Sequence, residues 1–286
     1  MIIVTGATGQ LGSQIVTRLL ERVPAEQVGV SVRDPNRAKE LSARGVRVRH
    51  GDFADPATLE PAFEGASQVL VISLDKLGDE AVAQTTAAID IAYGAGADRV
   101  LYTSHQAANP ASSFAPARDH AAVEAHLEQN GRPYTSLRNG YYAASLQFHL
   151  GHAMRNGELA APADGPVSWT ARADLAEAAA AILAGEDRFD GPTPPLTAAD
   201  AVDLQDVAAV LSELSGRTIR RVVVDDEEWI ADQIGHGFPE AVARLLIGSY
   251  QASRSGEFAV TDPALARLIG GEPQPIRAAL QAFAGE

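Results

Sequence analysis

Three glycines, Gly6, Gly9 and Gly12, recur at intervals of three in the opening stretch MIIVTGATGQLG, after an apolar run and before a helical pattern. That context suits a dinucleotide-binding turn. Gly6 permits the tight turn, Gly9 lets a pyrophosphate approach the backbone, and Gly12 allows a helix to pack closely on a strand. The helix N-terminus then offers unpaired N–H groups and the positive end of its dipole to the phosphates. Thr8, Gln10 and Leu11 complete the loop. The spacing is GxxGxxG rather than GxGxxG, so position carries more of the inference than the triplet itself.

The end of the second strand discriminates between cofactors. A carboxylate there accepts from the ribose 2′-hydroxyl of NAD, whereas an arginine suits the 2′-phosphate of NADP. The sequence reads SVRDPNR, with Arg33 at the strand end and Arg37 one turn further on, which favours NADPH. Asp34 is the rival, but it precedes Pro35, and turn formation or helix capping is its ordinary role. Asp52 and Phe53, after the third strand, are candidates to line an adenine pocket, and Ser73, after the fourth, is assigned to the cofactor site.

Ketone reduction by a nicotinamide needs a proton for the developing alkoxide, commonly from a tyrosine activated by a lysine four residues on. Here the only lysines are Lys39 and Lys76, both too early, and Tyr134 and Arg138 fall in a predicted strand, where that spacing loses its helical geometry. The helix after the fifth strand reads RDHAAVEAHL, which places His120, Val123, Glu124 and Leu127 on one face. His120 is the candidate proton donor or pocket-shaping group, and a histidine with a purely structural hydrogen bond is the other account. Ser104 ends the fifth strand, within reach of a nicotinamide. No metal-ligand cluster is expected.

Apolar runs alternating with helical patterns must position these groups. IIVTG, VGVSVR, VRVRHGD, VLVIS, RVLYTS and YTSLRNG read as six strands, with helices between them, including 79–94 and Ala117–Gln129. Leu11, Ile15, Leu19 and Val23 mark one face of the first helix. Such alternation implies an α/β fold, a doubly wound parallel Rossmann sheet. Beyond residue 140 the alternation weakens. A helix is expected at LQDVAAVLSELSG, a strand at TIRRVVVD, and helices within 226–249 and 275–284. Residues 1–150 therefore form the expected NADP-binding domain and 151–286 a smaller, mainly C-terminal α/β substrate-binding lobe, with some segments returning to the sheet.

The formal net charge of −14 opposes general affinity for nucleic acid or anionic membranes. Within it lies one basic window, Arg33, Arg37, Lys39, Arg44, Arg47 and Arg49 against Asp34 and Glu40, where a small anion or a solvated edge would fit. Cysteine is absent, the N-terminus carries no signal-peptide pattern, and the run LAEAAAAILA is too short to span a bilayer. A cytoplasmic protein with a small-molecule partner is expected; a homodimer is left open.

The segments TGATGQLG, SVRDP, GDF, LYTSHQA, RDHAAVEAHLEQNGRPYTSLRNGYY and TARADLAEAAAAIL follow one another much as in the NmrA-like atypical short-chain dehydrogenases. The chain resembles the bacterial NAD(P)H:quinone oxidoreductases of that family, with triphenylmethane reductases as near relatives. LRNGYY and the pair Arg172 and Asp174 are the more specific marks. The resemblance implies NADPH and direct hydride transfer to an electron-poor acceptor without a Tyr/Lys pair. On that analogy Asn139, Gly140, Tyr141 and Tyr142 lie beside the nicotinamide and the acceptor, and Ser104, His120 and Tyr141 position the reacting partners. Tyr141, Tyr142, Phe148 and Trp169 are candidate flat walls for a conjugated acceptor. ISLDKLG departs from the serine-rich stretch of these reductases, which bears on acceptor identity. The alternative is a non-catalytic NADP(H)-binding redox sensor acting through protein partners.

Overall fold

The computed structural model describes residues 1–284; the side chains at 148, 149, 152 and 282–284 lie outside the description. Seven strands form one parallel sheet in the order β3-β2-β1-β4-β5-β6-β8. They are β1 (Ile2–Thr5), β2 (Val28–Val32), β3 (Arg47–His50), β4 (Gln68–Val71), β5 (Arg99–His105), β6 (Tyr134–Asn139) and β8 (Gly191–Pro192). The order reverses between β1 and β4, and the crevice beyond the carboxyl ends of those strands is where such sheets bind ligands.

The two-residue side-chain period of the strands splits the core in two. Ile2, Val4, Leu70, Leu101 and Leu137 pack under α1 (Gln10–Leu19), α7 (Arg172–Ala184) and α11 (Ala264–Ile269). Ile3, Val69, Val71, Val100 and Tyr102 pack under α3 (Leu59–Phe63), α4 (Asp79–Gly94) and α5 (Ala115–Asn130). Leu11, Ile15, Val16 and Leu19 of α1 are buried, and a fully buried aliphatic side chain of this size contributes about 1.5–3 kcal/mol. Helix α1 ends at Leu19, so Val23 reaches the same cluster from the turn that follows. Beyond β2 a 3-10 turn leads into the short α2 (Lys39–Ala43).

A third cluster joins α6 (Gln147–Asn156), β7 (Glu158–Pro162), α8 (Leu204–Ser215), β9 (Arg220–Val224), α9 (Asp226–Gly235), α10 (Glu240–Arg254) and α12 (Ile276–Ala284). β7 pairs only with β9, in parallel. Between these elements α7, β8 and α11 return to the large sheet. Asp174 in the first turn of α7 secures one return, accepting from the Gln274 backbone N–H at 2.7 Å and from its side chain at 3.1 Å. Among the described residues no helix is long and apolar enough to cross a membrane.

Candidate active site

The glycine loop lies at the carboxyl end of β1. Gly6 has φ +58°, a left-handed conformation that a side chain would strain, and its carbonyl accepts from the Gly9 N–H at 2.9 Å. A Cβ on Gly12 would lie 2.3 Å from the Gly6 carbonyl oxygen and 3.0 Å from Ile72, so α1 can approach this turn only with glycine there. Gly9 is the N-cap of α1, and no side chain caps that end. The first turn therefore leaves N–H groups for an outside acceptor, beside exposed Gly9 and Gln10 and half-buried Thr8. Leu11 is buried and offers only backbone.

Beyond the end of β2, Arg33 and Arg37 are exposed. Asp34 accepts from the Asn36 N–H at 3.0 Å and caps the 3-10 turn, which occupies its carboxylate. Arg47 and Arg49 of the same basic window are instead held by carbonyls of residues 61–64 and, for Arg49, by Glu64 at 2.7 Å. Arg33 and Arg37, at the end of β2, are thus left open to an anion, as are the exposed Lys39 and Arg44 further along the window. Asp52 closes its own turn by accepting from the Ala54 N–H at 3.0 Å, and the Phe53 ring belongs to the core, so only the backbone of Phe53 is open to an adenine. Ser73 is joined to Thr103, whose hydroxyl accepts from the Ser73 N–H at 2.8 Å. A turn that only glycine can make, an uncapped helix end and two free guanidinium groups fit a phosphorylated dinucleotide.

Several proposed reacting groups sit elsewhere than expected. The Ser104 hydroxyl is buried and donates to Glu124 at 2.7 Å, pointing under α5 rather than toward an acceptor. Glu124 also accepts from Ser136 at 2.7 Å and pairs with Arg138 at 2.6 Å. Burial alone would raise the Glu124 pKa, but the hydrogen bonds from Arg138, Ser136 and Ser104 outweigh it and hold the carboxyl below its ordinary range. This ionised knot clamps α5 to β5 and β6. Gly140 is a packing position, since a Cβ there would meet Thr170 Oγ1 at 2.1 Å.

Tyr141 and Tyr142, grouped in the sequence as acceptor walls, part company because successive residues of an extended chain face opposite ways. Tyr142 packs with the sheet and lies under the Arg172 guanidinium, 4.8 Å from its ring centre; Arg172 in turn donates to Gln10 of the glycine loop at 2.6 Å. Asn139 hydrogen bonds to the Tyr142 hydroxyl, yet its own Oδ1 is buried without a partner. Tyr141 faces the third cluster, with ring centres of Trp169 at 5.2 Å, Phe258 at 5.0 Å and Phe114 at 5.6 Å. Burial pushes the Tyr141 hydroxyl up to about 12, and no lysine or arginine opposes it, so Tyr141 is a wall and a poor acid. Trp169 is fixed by donation to the Val202 carbonyl at 3.2 Å. Phe148 is on α6, with its side chain outside the described residues.

His120 stands at this aromatic cage, with its Nδ1 2.7 Å from the Tyr102 hydroxyl. Beside it, at 6.1 Å between ring centres and nearly parallel, lies His105, the last residue of β5, which the sequence analysis passed over. Phe114, Phe258 and Gln106 were missed as well. Gln106 accepts from the Tyr141 N–H at 3.1 Å and from Ser168 at 3.0 Å, and donates to the Phe258 carbonyl at 3.0 Å, binding the cage together. Desolvation lowers the pKa of His105 to about 3 and of His120 to about 4, so both rings are neutral near pH 7. Residue type at the strand end was a usable signal for His105; nothing local marked Phe258, more than a hundred residues away.

Known proteins share the fold and much of the sequence of this chain. Quinone oxidoreductase 2 of Escherichia coli (strain K12) is 33% identical over 271 residues, covering 94% of each chain. The crystal structure of the NADPH-dependent quinone oxidoreductase of Escherichia coli complexed with NADPH matches with a TM-score of 0.92 at 31% identity, covering 99% of this chain and 100% of that one. The triphenylmethane reductase of Citrobacter sp. complexed with NADP(H) matches with a TM-score of 0.87 at 32% identity, again covering 99% and 100%. A model of the NmrA-like family matches residues 1–272, and the chain belongs to that family.

Proposed function

We propose that this chain, an NAD(P)H-dependent oxidoreductase of the NmrA-like family, reduces a quinone or similar conjugated electrophile by direct hydride transfer from NADPH, without a Tyr/Lys pair. The observation that carries the reading is a cluster of aromatic rings edged by two uncharged histidines, together with an uncapped, glycine-lined helix end. When bound, NADPH supplies the hydride. Arg33 and Arg37 receive its 2′-phosphate, the Gly6–Gly12 turn its pyrophosphate, and the unpartnered Asn139 Oδ1 its carboxamide N–H. Tyr141, Trp169 and Phe258 wall the acceptor and exclude water. A conjugated acceptor spreads the incoming charge, so a neutral His120 that donates a hydrogen bond suffices where a ketone would need a strong acid.

Nicotinamide absorbance tests the reading. Purified protein with NADPH and a panel of quinones, dyes and conjugated carbonyls should show acceptor-dependent oxidation. Tight NADPH binding with no acceptor effect would favour the sensor alternative. Arg33→Ala should weaken NADPH about 10- to 100-fold, the loss of one charge-assisted hydrogen-bond site, while NADH changes less than about twofold. Equal loss of both cofactors would remove Arg33 from this role.

A further inference from the structure

His105 stands among the aromatic rings of the cage. Its ring meets Phe114 at 5.5 Å, Tyr141 at 5.7 Å and Phe258 at 5.6 Å, the last two edge-on. The Ala107 backbone N–H donates to His105 Nδ1 at 3.1 Å. A backbone amide can only donate, so Nδ1 must carry the lone pair, and the proton of the neutral ring sits on Nε2. Nε2 has no hydrogen-bond partner among the described residues, and it is not among the fully buried partnerless side-chain atoms. Its N–H is therefore not sealed off from solvent-accessible space. A leucine or phenylalanine would fill the same volume and match the neighbours better; the imidazole adds a directed donor.

We propose that His105 Nε2–H anchors the acceptor by donating to a carbonyl oxygen, so that the cage takes planar carbonyl-bearing electrophiles such as quinones in one orientation. The inference rests on the reductase reading and adds to it a residue that orients the acceptor. As hydride joins the acceptor, its carbonyl oxygen takes up the displaced electron pair, and the Nε2–H bond strengthens with that charge. The proton that completes the product comes from water, and the imidazole stays neutral throughout. His120 lies alongside, nearly parallel, with its own Nδ1 2.7 Å from the Tyr102 hydroxyl.

The test compares His105→Phe, which keeps the ring and removes the donor, with His105→Gln, which restores an N–H. Menadione binding to the NADP⁺-loaded protein is followed by tryptophan fluorescence, and menadione-dependent NADPH oxidation is measured beside it. His105→Phe should bind menadione at least about tenfold more weakly and raise KM accordingly, with NADPH affinity unchanged. His105→Gln should recover to within about threefold of the parent. Nitrogen-15 spectra of the unaltered protein should show the Nε2–H form of His105, with that resonance moving when menadione is added, a readout that holds even if a variant misfolds. Menadione affinity unchanged in His105→Phe, equal losses in both variants, or an Nε2 resonance indifferent to menadione would each overturn the anchor while leaving the reductase reading in place. A parent protein that oxidises NADPH with no acceptor in the panel would instead overturn the reductase reading, and the anchor with it.

Discussion

At the scale of single residues, the site is governed by what burial does to ionisable groups. His105 and His120 titrate near 6.5 when exposed, and desolvation takes them to about 3 and about 4 in the folded chain. Between those limits the unfolded chain takes up protons that the native chain refuses. Their contribution to stability is thus complete above about pH 6.5 and is lost as pH falls toward about 4. Thermal unfolding from about pH 4.5 to 7.5 should show the midpoint rising with pH over that interval, with a shallower slope in His105→Phe. Turnover that depends on neutral rings should be flat from about pH 6 to 8. A rate that climbs as pH drops through 6 would mean that an imidazolium is the working form.

At the scale of elements, the junction of β1 and α1 depends on backbone approach. A methyl group at position 12 would sit 2.3 Å from the Gly6 carbonyl oxygen, so Gly12→Ala must push α1 away from the turn. The expected cost is about 1–3 kcal/mol, as for overpacking, with NADPH affinity falling by at least about tenfold because the helix end moves. Gly94→Ala, at the end of α4 with nothing within 4 Å of its Cβ, is the control, expected to be neutral or to stabilise by up to about 1 kcal/mol. Chemical denaturation and NADPH titration of both proteins check this pair. Much at this scale was legible beforehand. α4 runs from Asp79 to Gly94 as its pattern indicates, and α5 extends the expected span by only a few residues. α6 and β7 were not legible: β7 is five residues long and pairs only with β9, some sixty residues later, so no local alternation announces it.

At the scale of the whole molecule, the cage exists only because distant segments converge. Phe114 precedes α5, Tyr141 follows β6, Trp169 precedes α7 and Phe258 follows α10. Helix α10 closes against the Phe114 segment through Gly248, where a Cβ would lie 2.4 Å from the Ser113 carbonyl oxygen. Gly248→Leu should lift α10 from that segment and misplace Phe114 and Tyr141. The acceptor KM should then rise by an order of magnitude or more, since misplacement of about 1 Å can cost as much as 100-fold. NADPH affinity, which depends on the far side of the crevice, should stay within about twofold. Steady-state kinetics and equilibrium NADPH binding separate the two effects.

The amino-acid sequence by itself determined the parallel sheet, the glycine turn after β1 and the basic pair after β2. Each of these is written in contiguous residues whose period, glycine placement or charge has a local physical meaning. It also placed both lysines, Lys39 and Lys76, too early in the chain for the usual spacing of a Tyr/Lys pair. Tertiary structure alone decided which polar groups remain available for chemistry. It spent Ser104 on Glu124, turned Tyr142 toward the glycine loop, and brought His105 and Phe258 together across the crevice. Whether a hydroxyl or an imidazole is free depends on its hydrogen-bond partners and its access to water, and here those come from residues far away along the chain.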